Sequence, residues 1–269
     1  MALTPLQRAV CHLLAARRVT SGESYVAGGV ALNELLSGSR VSRDIDLFHD
    51  TEEALEASWQ ADRQALVAAS YEVHVLRERP GWVEAEVERW GDSVRVEWAR
   101  DSAFRFFPLV EHAELGLALH PFDLATNKLL ALVGRREVRD WVDLIHCDAH
   151  LQPLGYLAWA ACGKDPGFSP VGLVDLAARA GRFASPEVAA LAYDGEPPDA
   201  GELSRQWHAA LTAAGEVLEI LPPDETGKCV LTAAADLARW PLPDLAAALE
   251  RGHVRFHPGS IRGAWPSVS

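Results

Sequence analysis

The sequence predicts an α+β fold: a small mixed sheet with helices, followed by an all-helical C-terminal part. Three observations predict it. Segments with the two-residue alternation of half-buried strands cluster before residue 100. From Pro121 onward the pattern changes to Ala- and Leu-rich helical stretches broken by Pro and Gly. The chain has 269 residues and is 49% hydrophobic, enough for a large core and too apolar for a disordered chain. The division is placed between a core over 1–119 and a helical domain over 120–269.

The elements follow in order. Thr4 can cap a first helix, Pro5 fits its first turn, and Leu6, Val10, Leu13 and Leu14 make one apolar stripe. Tyr25-Val26-Ala27 reads as a short strand or turn, Gly28-Gly29 as a double glycine, and Val30 to Leu36 as a helix stopping at Gly38. Asp44-Ile45-Asp46-Leu47 alternates polar and apolar and suits a strand, and Thr51 can cap a helix from Glu52 to Ala69. Tyr71 to Leu76, Trp82 to Trp90 and Ser93 to Trp98 are the next strands, the last two joined as a hairpin through Gly91-Asp92. In Trp82 to Trp90, Val83, Ala85 and Val87 share one face while Glu84, Glu86 and Glu88 share the other, taken as solvated. Helices are expected over Pro121 to Leu132, Glu137 to His150, Leu154 to Ala161, Gly172 to Ala180, Glu187 to Ala192, Leu203 to Ile220, Leu231 to Ala238 and Asp244 to Leu249, with a break at Gly134. Gly252 to Ser269 is rich in Gly, Pro and Ser and reads as a loosely held tail.

Composition narrows the function. No apolar run is long enough to span a bilayer, and the N-terminus lacks the pattern of a signal peptide, so no membrane partner is expected. The four cysteines, Cys11, Cys147, Cys162 and Cys229, form no CxxC pair, which points to a reducing cytoplasm. The net charge of -13 disfavours wrapping long duplex DNA. Any nucleic-acid contact would rest on a local patch such as Arg135, Arg136 and Arg139.

The chemistry centres on Asp44 and Asp46. Two residues apart on a strand, both carboxylates project from one face, and such a pair shares a proton or binds a cation. Glu97, between Val96 and Trp98, is a third acid on another strand; if the strands are neighbours, three carboxylates converge as an all-oxygen site suited to Mg²⁺. Gly28-Gly29 before a helix offers backbone N–H groups to phosphate. The plain alternatives are a solvated strand face for the acids and a tight turn for the glycines; their order and spacing together favour chemistry.

These residues carry a resemblance. Gly28-Gly29, a helix, and then Arg40-Val41-Ser42-Arg43-Asp44-Ile45-Asp46-Leu47-Phe48 resemble the AbiEii/AbiGii-type nucleotidyltransferase toxins of the DNA polymerase β superfamily. A second block, Leu124 to Leu132 with Lys128, then Arg135, Arg139-Asp140 and Asp143-Leu144, agrees in order, and the likeness covers about Tyr25 to His150. The resemblance implies a polymerase-β-like core and an enzyme that moves a nucleotide from NTP with Mg²⁺, or Mn²⁺ in its place. It places Asp44, Asp46 and Glu97 on metal, and Gly28, Gly29, Ser42 and Lys128 near the phosphates. It puts Arg139 and Asp140 by the nucleotide, and Asp143 or Asp140 as completing the site from the second helix, with the helical domain as the other wall of the cleft. It further implies a toxin of a toxin–antitoxin or phage-defence pair, with a cognate antitoxin and a tRNA, other RNA or protein acceptor. Many superfamily members have Gly-Ser where this chain has Gly28-Gly29, one hydroxyl donor fewer.

Two other readings compete: an antibiotic-type enzyme acting on a small molecule, and a non-catalytic nucleotide-binding regulator. Asp143, His146, Cys147 and His150 share a helical face and could ligate zinc, but no second ligand cluster accompanies them. Gly163-Lys164 lacks the upstream glycine of a phosphate-binding loop.

Overall fold

A computed structural model describes residues 3–266; Met1, Ala2 and the last three residues of the expected tail lie outside the described residues. The chain forms two compact units. The first runs to Ala103 and takes in Leu109–His120 and Ala192–Gly195; the second takes Phe104–Pro108, Pro121–Leu191 and the chain from Glu196 onward.

In the first unit, helix α1 (Pro5–Ser21) starts at Thr4, whose side chain accepts from the Gln7 backbone N–H, and Gln7 returns the bond. Strand β1 (Ser24–Ala27) leads directly into helix α2 (Gly28–Leu35), and β2 (Asp44–His49) follows. Helix α3 (Glu52–Ala68) is capped by Thr51, whose hydroxyl accepts from Ala54 N–H at 3.1 Å. Strands β3 (Glu72–Arg79), β4 (Trp82–Arg89) and β5 (Asp92–Arg100) form a meander. The β4–β5 turn is the two-residue Trp90-Gly91, with φ of 55° and 88°. Positive φ at both central residues is the hairpin geometry that matches the right-handed twist of strands.

Two short strands that the alternation pattern did not mark, β7 (Val110–His112) and β8 (Gly116–Ala118), complete a seven-stranded sheet in the order β3-β4-β5-β2-β1-β8-β7. At three residues each they are too short to show a period. The sheet is mixed, because β2 runs parallel to β5 and β1 parallel to β8. Along β2, Ile45, Leu47 and His49 are buried while Asp44, Asp46 and Phe48 are half-buried, as the alternation predicts. The buried face continues through Val94, Val96 and Trp98 of β5. There Trp98 packs on Trp59 of α3 and donates its indole N–H to Asp62 at 3.0 Å.

The second unit is helical in the main: α4 (Pro121–Arg135), α5 (Val138–His150), α6 (Leu154–Ala161), α7 (Pro170–Ala180), α8 (Ser185–Ala189), α9 (Ala200–Ile220) and α10 (Leu242–Glu250). Helix α4 continues through Gly134, so the expected break falls two residues later, at Arg136, whose φ is 56°.

Two expectations for this unit need correction. Leu231 to Ala238 is not a helix: β9 (Lys228–Thr232) occupies its start and a turn follows. The tail is not loose within the described residues. Strand β10 (Val254–Pro258) pairs antiparallel with β9, and β11 (Ser260–Ile261) pairs with β6 (Phe104–Arg105). Alternation explains both: Val254 and Phe256 pack on a core of Tyr156, Trp159, Val217, Leu221, Val230 and Leu245, and His257 reaches the Phe106 carbonyl at 2.8 Å. Gly, Pro and Ser in that segment obscured a five-residue strand.

Candidate active site

The first unit brings the predicted acids onto one sheet face. Asp46 pairs with Glu97 across β2 and β5, and Glu97 pairs with Glu84 across β5 and β4. Ala27, Asp46, Glu97, Glu84 and Arg77 therefore form one row across five strands, with Asp44 and Arg95 in the next pair along. Burial pushes the Glu97 carboxyl above its ordinary range, and the Asp46, Asp44 and Glu84 carboxylates push it the same way. The four acids therefore lie close enough to repel each other.

Glu84 was not anticipated. The expected solvated face of β4 is half right, since Glu84 is only 6% exposed. Its carboxylate is held by Arg95 at 3.1 Å and Arg77 at 3.8 Å, and Arg95 also lies 3.9 Å from Asp44. Glu84 is covered by its neighbours on β3 and β5, Arg77 and Arg95 among them, which a single-strand pattern does not reveal.

The double glycine is tied to these acids by close packing. Gly28 has φ +64°, and a Cβ there would overlap the Asp46 carboxylate. A Cβ on Gly29 would collide with the Arg40 guanidinium and lie 2.9 Å from Ser42 Oγ. The two glycines thus let an acid and a cation approach the start of α2. Arg40, only 4% exposed, is a residue the sequence reading quoted without giving it a role. The segment carrying it is fixed on both sides. Val41 N–H donates to Ala192 O at 2.9 Å, Asp194 N–H to Ser39 O at 2.8 Å, and Gln7 to the Ser42 carbonyl at 2.6 Å.

The second unit holds the remaining predicted residues. Lys128 of α4 donates to Asp140 of α5 at 2.9 Å and lies 3.1 Å from Asp143. Arg135 binds Asp140 through Nε at 2.8 Å and Nη2 at 2.9 Å. Burial pushes the Asp140 carboxyl up, but the Arg135 hydrogen bonds and the Lys128 charge outweigh it and hold the group below the usual carboxylate range. Lys128 is therefore a buried, doubly paired cation and not an exposed helical lysine. Arg139, half-buried on the first turn of α5, precedes Asp140 directly.

The alternative zinc set does not assemble. Asp143 is taken by Lys128, Cys147 is fully buried, and His146 and His150 stack on each other with ring centroids 4.4 Å apart. Lys164 of the Gly163-Lys164 pair is a structural pin, 2.8 Å from Asp123, whose carboxylate also accepts from the Phe106 and Phe107 N–H groups. All four cysteines are buried and unbridged.

The acid row offers the ligand type of a divalent cation. The donors are all oxygen, and Gly28 leaves room for Asp46 where a side chain would displace it. Burial raises Glu97 first, and the Asp46, Asp44 and Glu84 charges add to it; a dication would offset that second part. Among the described residues, the group of three whose ligand atoms already lie within 4.8 Å of one another is a different one, exposed on β3 and β4: Glu72, His74 and Glu88.

The model of the nucleotidyl transferase AbiEii toxin family, from type IV toxin–antitoxin systems, matches residues 12–155, just over half of the chain. This chain belongs to the AbiEii family. Two solved structures from Helicobacter pylori share its fold. One, JHP933, has TM-score 0.54 and 16% identity, over 78% of this chain and 91% of that one. The other, described as a putative nucleotidyltransferase, has TM-score 0.54 and 15% identity, over 82% of this chain and 99% of that one. MenT4, a nucleotidyltransferase toxin from Mycobacterium tuberculosis H37Rv, aligns at TM-score 0.48 and 19% identity, over 80% of this chain and 83% of that one. No curated protein matches the chain. Membership makes this AbiEii chain a nucleotidyltransferase toxin by family, and no helix among the described residues is long and apolar enough to cross a membrane.

Proposed function

We propose that this AbiEii protein transfers a nucleotidyl group from an NTP to an RNA 3′ end or a protein side chain, releases pyrophosphate, and acts as the toxin beside a cognate antitoxin. The observation that carries the reading is the contact between Gly28 and Asp46. It sets the glycine-glycine start of α2 against an acid row on one sheet face, which supports a phosphate site beside a metal site.

The residues divide the work as follows. Backbone N–H groups at the start of α2, released from side-chain bulk by Gly28 and Gly29, receive phosphate oxygens. Arg40 and Ser42, both against Gly29, add a guanidinium and a hydroxyl to the same polyphosphate. Within the second unit, Lys128 spends two of its three N–H donors on Asp140 and Asp143 and keeps a third for an anionic ligand. A divalent cation, Mg²⁺ or Mn²⁺, held by Asp44, Asp46 and Glu97, would offset the phosphate charge. The acceptor oxygen attacks the α-phosphorus, the α–β phosphoanhydride P–O bond breaks, and pyrophosphate leaves. Glu97, the third acid of the row, is the candidate base for the acceptor's proton. Asp140, buried on α5, positions Lys128 and Arg135, and Arg139 precedes it on the same helix.

The charge of -13 favours a second reading, transfer to a small molecule, because a long anionic acceptor is repelled. Induced expression in a bacterial host separates the two. The toxin reading expects growth arrest with the wild type and normal growth with Asp46→Ala at equal protein level. Normal growth in both, with nucleotide binding intact, would favour the small-molecule reading.

A further inference from the structure

Away from the acid row, three side chains on β3 and β4 meet as a mixed nitrogen and oxygen set. Glu72, His74 and Glu88 each bring one ligand atom to within 4.8 Å of the other two. The backbone arranges this meeting. Glu72 and His74 are two residues apart on β3, and Glu88 stands opposite Glu72 across the antiparallel pair. Period two puts the first two on one face, and opposed residues share a face. The three therefore rest on paired strands rather than on a loop.

The cations around them are committed elsewhere. Arg77 and Arg95 hold Glu84, and Arg79 stands over the Trp82 ring at 4.8 Å. Arg89 lies over the rings of Tyr71 and Trp90, 4.6 and 4.0 Å from their centroids. Within the set, His74 Nε2 lies 3.5 Å from Glu72, while Glu88 opposes Glu72 as a like charge. Directly opposed like charges weaken a strand pair. Among the described residues no lysine or arginine forms an ion pair with either glutamate, on a sheet face where Glu84 has two arginines.

Ligand type and spacing name the class of ion. One imidazole with two carboxylates suits a borderline transition-metal ion, whereas Mg²⁺ takes oxygen alone. Bonds near 2.1 Å to a tetrahedral ion set its ligand atoms roughly 3.4 Å apart. Rotation of exposed side chains closes the remaining gap without moving either strand. We propose that Glu72, His74 and Glu88 bind a divalent transition-metal ion, Zn²⁺ in the first place, with water at the fourth position. The site is separate from the acid row: His74, Glu86, Arg95 and Asp44 form one register row, so three strand spacings, about 14 Å, divide His74 from Asp44. Strand β3 is an edge of the seven-stranded sheet, and the ion ties its start to β4.

Calorimetry with Zn²⁺ alone on the full chain tests this, using both the wild type and the Asp44→Ala/Asp46→Ala protein. The second protein removes the acid row as a competing site and should still bind one Zn²⁺ with micromolar affinity, in a large excess of Mg²⁺ as well. In that background His74→Ala and Glu88→Gln should each weaken binding by at least about tenfold, the low end of what losing even an outer-shell partner costs. Circular dichroism checks that each variant folds, and Glu72→Gln replaces any that does not. His146→Ala, which removes an imidazole from the stacked pair on α5, should leave binding unchanged. Millimolar binding, which marks an adventitious ion only, would overturn the proposal. So would binding that survives His74→Ala, or binding lost with the acid row or with His146.

Discussion

Gly28 and Asp46 constrain each other, and the consequence is local. Gly28→Ala places a methyl in the space of the Asp46 carboxylate at a backbone φ that L-residues avoid. A strain of about 1–3 kcal/mol is expected in Tm or denaturant midpoint. Nucleotide transfer should fall by about 100-fold, because displacement by roughly 1 Å is costly at a reacting centre. Near-normal transfer would detach the glycine from the chemistry. Glu97 gives a pH-dependent counterpart. Its folded-state carboxyl is raised, so folding favours the protonated form: stability is full below the ordinary Glu range and declines as pH rises through the folded value. Glu97→Gln should therefore raise Tm at pH 7 and leave it nearly unchanged at pH 4, while transfer activity is lost. A gain at pH 4 as large as at pH 7 would contradict the crowding of acids.

At the scale of elements, α4 and α5 are joined by a buried charge cluster rather than by apolar packing alone. Removing Lys128 as Lys128→Met leaves Asp140 and Asp143, both essentially unexposed, with Arg135 as the remaining cation on Asp140. A loss of about 3–5 kcal/mol in urea unfolding is expected, and a loss under about 1 kcal/mol would show the pair to be dispensable. Strand β10 carries the next prediction: Phe256→Ala, opposite Val230, should cost about 2 kcal/mol and speed proteolysis after Gly252. These elements also show what a sequence exposes. The β2 strand, the β4–β5 hairpin and most helices were legible because period and caps are local, as with Thr4, Thr51 and the run from Asp44 to Leu47. Strands β7 and β8 were not, because three residues show no period, and β9 and β10 were not, because each exists through a distant partner. The same holds in the site. Asp44, Asp46 and Gly28 stood out by spacing, whereas the burial of Glu84 and the approach of Arg40 to Gly29 arise from neighbours on other elements.

For the molecule as a whole, the family, the sheet face and the charge point to a transferase whose acceptor must overcome a net charge of -13. If that acceptor is RNA, transfer should weaken steeply as salt is raised, since only local basic side chains can hold it. A small-molecule acceptor would show a shallow salt dependence. The most direct test is to incubate the purified protein with Mg²⁺ and each α-labelled NTP in turn, adding total bacterial RNA or a cell lysate, beside the Asp44→Ala/Asp46→Ala protein. Label entering an RNA or protein band with the wild type alone is the expected result, and it names both the base and the acceptor class. Absence of label, with no binding of nucleotide in the presence of metal, would contradict the assignment of the acid row and double glycine to nucleotidyl transfer.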